Sequence, residues 1–275
     1  MSKRIISFPY YGGKNLQLGW LLPLLPYRNR YVEPFGGSAG VLLNRDPSPI
    51  EVYNDLNEDV VNFFRILRER PEELIESLRM TPYAVKEFEN CKQHITDPLE
   101  RARCFFVRAR QSFMSTGRTW AISKYTRGGW GQMISRWDSG IDGLGRVVAR
   151  LRHVIFECRP AVEVMFRHDD DNTVMYLDPP YLQETRVTKE GYGEYEMDRS
   201  DHIEILSQAK VSDALIAISG YDNDLYNHEL KDWFRYEDKE KQLAGPRTMR
   251  QEILWTNYDP AEVVDQNQTR LEEFD

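Results

Sequence analysis

The apolar run Val174-Met175-Tyr176-Leu177 ends abruptly in Asp178-Pro179-Pro180-Tyr181, and no other junction constrains the fold as much. Four apolar residues bounded by a breaker read as a buried strand. Two successive prolines fix φ and carry no N–H, so the strand cannot continue and the turn after it is stiff. Further strands are expected near 30–33, 50–54, 154–157 and 214–219, with a closing pair at 233–236 and 252–256. Helical patterns fall at 16–25, 57–70, 72–80, 98–113 and 201–209. Strands alternating with helices imply an α/β fold with a doubly wound, mostly parallel sheet. Ligands of such a sheet sit at the carboxyl ends of its strands. Gly36, Asp55 and Asp178 all fall there.

The corner after Leu177 presents acceptors and one ring: the Asp178 carboxylate, the Pro179 carbonyl and the Tyr181 face. The exocyclic amine of a nucleobase is a poor nucleophile, because its lone pair is spread into the ring. Two acceptors, one on each N–H, favour a tetrahedral nitrogen and the positive charge that builds during alkyl transfer. Acceptors fixed in advance need no reorganisation at the moment of reaction. Tyr181 is suited to stacking on a base swung out of a duplex.

Three earlier segments add to this. In Tyr31-Val32-Glu33-Pro34-Phe35-Gly36-Gly37-Ser38-Ala39-Gly40 a strand runs into a glycine loop, followed by an apolar helical start at Val41-Leu42-Leu43. Glycines at such a turn let backbone approach a ligand closely. Ile50-Glu51-Val52-Tyr53-Asn54-Asp55 reads as the next strand, ending in a carboxylate. An acid about 20 residues beyond a glycine loop accepts from ribose hydroxyls in dinucleotide-binding folds. Asp55 or Asn57 also suits the cap of the helix that follows. The third segment, Pro9-Tyr10-Tyr11-Gly12-Gly13-Lys14, carries a lysine after two glycines.

Charge is distributed unevenly. The chain is acidic, formally −8, which argues against indiscriminate nucleic-acid binding. Residues 101–160 reverse the sign, with 12 Lys+Arg against 3 acids. Eleven of the twelve are arginine, the residue best suited to bidentate contacts with phosphate and guanine. Aromatics and glycines interleave with them, including Trp120, Tyr125, Trp130, Gly128 and Gly129. This reads as a basic helix followed by a loop or hairpin able to enter a groove.

Taken together, these segments resemble the Dam-like N6-adenine DNA methyltransferases, and the resemblance runs from the N-terminal segment to Trp255-Thr256-Asn257. It implies a Rossmann-like catalytic domain that uses S-adenosylmethionine (AdoMet), formed by residues 1–57 and 152–275. It also implies an inserted, mainly helical target-recognition domain at 58–151. The resemblance assigns catalysis to Asp178, Pro179, Pro180 and Tyr181. Cofactor contacts would come from Tyr10, Lys14, Glu33, Phe35, Gly36, Gly37, Ser38, Asp55 and Asp178. DNA contacts would come from Arg108, Arg110, Ser112, Arg118, Lys124, Arg127 and Trp130. The expected reaction is methyl transfer from AdoMet to adenine N6 in double-stranded DNA, by base flipping and direct displacement. Cytosine N4 poses the same electronic problem and stays open, as does a DNA-binding relative without activity. Two departures stand out. Pro160 occupies the place where the family often has an acid for the cofactor adenine. The middle region also lacks the family's pattern for GATC, so no target sequence is assigned.

At 275 residues, one domain plus an insertion is expected. No apolar run approaches membrane-spanning length and no secretory segment is evident, which fits an enzyme of the bacterial cytoplasm, encoded by a cell or a phage. Cys91, Cys104 and Cys158 are odd in number, lack metal-ligand spacing and suit a reducing compartment. The five histidines form no metal-ligand cluster, so no metal is expected. A monomer is expected. The loop Gln183 to Met197 reads as a cover that orders on DNA.

Overall fold

A computed structural model describes residues 4–186, 192–238 and 251–263. The chain divides into two units: residues 1–15, 37–44 and 57–158 form the first, and 16–36, 45–56 and 159–275 the second. The insertion expected at 58–151 lies within the first unit, which also takes in the two shorter segments.

The second unit is built on its sheet. A short helix, α1 (Leu18–Leu21), precedes β1 (Arg30–Glu33) and β2 (Ile50–Asn54). Helix α8 (Ala161–Arg167) leads to β6 (Thr173–Leu177), α9 (Arg199–Val211) to β7 (Leu215–Tyr221), and α10 (Asp224–Glu229) to β8 (Phe234–Glu237) and β9 (Glu252–Thr256). These strands lie in the order β2-β1-β6-β7-β9-β8. The pairs β1–β2, β1–β6 and β6–β7 are parallel, while β7–β9 and β8–β9 are antiparallel. All five residues of β6 are buried, as a strand covered on both faces requires. Val32, Val52, Met175, Leu177, Ile216 and Ile218 pack with Val164, Ile205 and Leu206 of the flanking helices. Burying each such side chain contributes about 1.5–3 kcal/mol. Helix α9 begins at a capping box, with Asp198 accepting from the Ser200 and Asp201 amides and Asp201 accepting from the Asp198 amide.

The first unit is mainly helical. It contains α2 (Glu58–Glu69), α3 (Pro71–Met80), α4 (Val85–Asn90), α5 (Pro98–Gln111), a hairpin of β3 (Thr126–Arg127) and β4 (Trp130–Gly131), α6 (Gln132–Asp142), α7 (Leu144–Leu151) and β5 (Val154–Glu157). Asn57 caps α2 by accepting from Asp59 and Val60 amides. Asp97 caps α5, with Pro98 in its first turn where no N–H is needed. Phe8, Phe63, Phe105 and Phe106 form the core: Phe8 lies edge-on to Phe63 at 5.2 Å and to Phe105 at 4.9 Å, and Phe63 stacks on Phe106 at 5.7 Å.

Three local expectations fail. Residues 16–25 do not form one helix; α1 is followed by a tighter turn at Leu22–Leu24. Pro23 carries no N–H and its ring crowds the preceding turn. No helix starts at Val41-Leu42-Leu43, because Ala39 takes a left-handed φ of 55° and the chain continues in turns. Cys91 and Cys104 form a disulfide, contrary to the reading of a reduced set. The contact of α4 with α5 brings their Cα atoms to 4.7 Å, while Cys158 is exposed and lies outside the disulfide. Among the described residues, no helix is long and apolar enough to cross a membrane, and no cluster of His, Cys, Asp and Glu could hold a metal.

Candidate active site

Strand order in the second unit reverses at β1, which has β2 on one side and β6 on the other. The crevice outside the carboxyl ends of such strands is where ligands of doubly wound sheets bind. Glu33 ends β1, Asp55 follows β2, and Asp178 follows β6. Asn57 provides the α2 cap, so Asp55 does not have that task. Asn54 fixes the β2 end by donating to the Pro34 and Arg159 carbonyls and accepting from the Arg159 amide. Gly36 donates its N–H to the Asn54 carbonyl at 2.7 Å, and the Tyr53 ring fills the space beside its Cα. Phe35 is half-buried. Glu33 is buried and accepts from the Tyr31 hydroxyl at 2.7 Å. Pro160 starts α8 as its cap residue.

The Asp-Pro-Pro-Tyr turn is held from several sides. Tyr181 places its hydroxyl 3.1 Å from Asp178 Oδ1 and also against Glu252 Oε1, at the start of β9. Its ring stands edge-on to Tyr221 at 4.8 Å. Burial, then the Asp178 and Glu252 charges, push the Tyr181 phenol well above its usual range, so it stays protonated. Pro179 is buried, whereas Asp178 keeps partial exposure. Beneath the turn, His202 Nδ1 lies 2.9 Å from the Tyr226 hydroxyl. Burial pulls His202 down to about 4, which keeps it neutral near pH 7.

The first unit carries the remaining expected residues. Tyr10, Gly13, Gly37 and Ser38 meet there: an added Cβ on Gly37 would lie 3.0 Å from the Tyr10 ring, and one on Gly13 would lie 3.3 Å from Ser38 Oγ. Gly37 has a φ of 48°, which glycine adopts without strain. Lys14 is 5% exposed, buried rather than a solvated surface charge, and donates to the Gly12 carbonyl.

The expected DNA-contacting residues separate into two groups. Arg108 and Arg101 both pair with Asp59. Burial works to raise the Asp59 carboxyl, but these two hydrogen bonds outweigh it and hold it low. Arg110 packs its guanidinium over the Phe106 ring at 5.1 Å and in the space beside Gly140; burial draws it down to about 10, so it remains charged near pH 7. Ser112 is buried and accepts from the Gly117 amide. Arg118, Lys124, Arg127 and Trp130 are exposed, with Tyr125, Phe113 and Met114 beside them in sequence. Gly128 and Gly129, with φ of 60° and 84°, make the two-residue turn between β3 and β4.

Sequence reasoning missed Glu252, Tyr221, His202 and Tyr226. Glu252 lies 71 residues beyond Tyr181, out of reach of any local pattern. One signal was present, a lone acid heading the apolar run Ile253-Leu254-Trp255.

The Gly36 turn, Asp55 and the Asp-Pro-Pro-Tyr corner all lie at the carboxyl ends of the parallel strands β1, β2 and β6. The family model for the D12 class N6 adenine-specific DNA methyltransferases matches residues 10–244, and the chain belongs to that family. It is an adenine-specific DNA methyltransferase, and the cytosine reading falls away. Among its relatives, the DNA adenine methylase of Salmonella typhi is 25% identical over 254 residues, 86% of each chain. The DNA adenine methylase of Escherichia coli K12 is 27% identical over 195 residues, 66% of each chain. The modification methylase LlaI of Lactococcus lactis is 25% identical over 272 residues, 92% of this chain and 43% of that protein.

Proposed function

We propose that the second unit binds AdoMet outside the carboxyl ends of its parallel strands and that Asp178 and the Pro179 carbonyl hold the N6 amine of a flipped adenine. The observation that carries this reading is the placement of Asp178 at the end of β6, beside β1 where strand order reverses, with Tyr181 bridging it to β9. An acceptor suited to the cofactor is present: Asp55 follows β2 at the carboxyl end of the sheet, where a carboxylate can accept from the ribose hydroxyls.

AdoMet, when bound, supplies an electrophilic methyl group. Asp178 and Pro179 each accept from one N–H of the amine, which draws the nitrogen towards tetrahedral geometry and stabilises its developing charge. The prolines hold both acceptors in place beforehand. Tyr181 offers aromatic surface to the extruded base. Displacement is direct, with no covalent enzyme intermediate.

In the first unit, Arg118, Lys124, Arg127 and Trp130 of the exposed loop and hairpin contact double-stranded DNA, the arginines reading phosphates or guanine edges. Ser112 ties the start of that loop to α5 through the Gly117 amide, while Arg108 pairs with Asp59 and Arg110 packs over Phe106. The enzyme acts as a monomer. The expected covering loop at 183–197 falls partly outside the described residues.

Calorimetric titration with AdoMet tests the cofactor assignment. Wild-type protein binds it, and Asp55→Ala binds about tenfold more weakly, as loss of a charge-assisted hydrogen bond predicts. No AdoMet binding by the wild type, or equal binding by the variant, overturns the assignment.

A further inference from the structure

We propose that Glu252 is a positioning residue for methyl transfer: it holds the single proton of the Tyr181 hydroxyl away from Asp178. The inference rests on the reading of Asp178 as the acceptor of the target amine.

The Tyr181 hydroxyl is within hydrogen-bond reach of Asp178 Oδ1, at 3.1 Å, and of Glu252 Oε1. A phenol has one proton to donate, so the two carboxylates compete for it. Glu252 is 7% exposed and starts β9, which lies antiparallel between β7 and the edge strand β8; it is register-paired with Tyr221, whose ring braces Tyr181. The Glu252 backbone belongs to β9 and not to the Pro-Pro turn, and the phenol oxygen lies closer to Glu252 Oε1 than to Asp178 Oδ1, so the competition has a preferred outcome. The Glu252 carboxylate accepts the phenol O–H, and Asp178 Oδ1 then faces the lone-pair side of the phenol oxygen. That arrangement makes Oδ1 the stronger acceptor for a substrate N–H. A neutral group at 252 reverses it. The amide of a glutamine can donate to the phenol oxygen, and the phenol O–H then turns onto Asp178 Oδ1 and weakens it as an acceptor for the substrate.

Single-turnover methylation of unmethylated DNA with methyl-labelled AdoMet, on Glu252→Gln, Tyr181→Phe and the double variant, tests the inference. Tyr181→Phe removes the proton in dispute and sets its own reference rate. Glu252→Gln is expected to lower the rate about tenfold, with AdoMet and DNA affinities within about twofold of wild type. In the Tyr181→Phe background the same change is expected to have no effect, because a residue acting only through the hydroxyl is silent without it. Glu252→Asp, which keeps a carboxylate, should recover part of the rate. A wild-type rate for Glu252→Gln overturns the inference. So does an equal loss in both backgrounds, or Glu252→Asp no faster than Glu252→Gln. Asp178→Ala in the same assay separates the two levels: a rate within about tenfold of wild type there defeats the reading of Asp178 itself, whereas an Asp178→Ala slowed about a hundredfold or more beside a fully active Glu252→Gln defeats only the role of Glu252.

Discussion

The Tyr53 ring occupies the space that any side chain at Gly36 would need: a Cβ built there would lie 2.1 Å from the ring. The Gly36 amide is also tied to the Asn54 carbonyl, so the turn cannot slide away to make room. This contact locks the end of β1 to the end of β2, the edge where the cofactor is proposed to bind.

Gly36→Ala is therefore expected to destabilise the protein by about 1–3 kcal/mol, the range for inserting a methyl group into a packed site. Urea unfolding checks it, through a lowered midpoint at unchanged slope. A midpoint equal to wild type would show that the turn relaxes freely.

Asp178→Ala removes one of the two acceptors proposed for the amine. Loss of a preorganised group of this kind costs about a hundred- to a thousandfold in rate. Asp178 is partly exposed, so its thermal unfolding should change little. Paired measurements of turnover and melting give the answer, and a rate within about tenfold of wild type would count against the assignment.

His202 supplies a stability prediction with a definite sign. Its folded value is about 4, below the unfolded value of about 6.5. Above pH 6.5 both states are neutral at this site and it contributes no pH dependence. As pH falls from about 6.5 to about 4, the unfolded state takes up the proton first and stability drops, by a total on the order of 3 kcal/mol. His202→Asn should flatten the stability profile in that window. An unchanged profile would place the acid sensitivity elsewhere.

Charge removal in the exposed hairpin should act on affinity. Arg127→Ala is expected to weaken binding to all DNA sequences and to reduce the slope of log K against log salt by about 1, if its contact is a phosphate. Trp130→Ala should weaken binding without changing that slope. Fluorescence anisotropy across a salt series separates the two. Identical slopes for wild type and Arg127→Ala would remove Arg127 from the phosphate contacts.

Much of the fold is legible in the sequence because strand and breaker signals are local. Val174 to Leu177 followed by Pro-Pro gives β6 within one residue, and Asn57 ahead of Val60, Val61 and Phe64 gives α2 and its cap. Local signals fail where backbone geometry decides. The Val41-Leu42-Leu43 run has helical composition, yet the left-handed Ala39 turns the chain first. Charge patterning shows sign and not partner, so Arg108 reads like Arg127 although Asp59 holds the former and solvent the latter. Glu252 could not be placed beside Asp178 from sequence, because their neighbourhood depends on β9 pairing antiparallel with β7.

The most direct measurement follows the methyl group. Purified protein is incubated with unmethylated double-stranded DNA and methyl-labelled AdoMet, the DNA is digested to nucleosides, and the labelled product is identified by mass spectrometry. The account predicts label in N6-methyladenine alone, and its loss with Asp178→Ala. Label in N4-methylcytosine, or full labelling by Asp178→Ala, would contradict it.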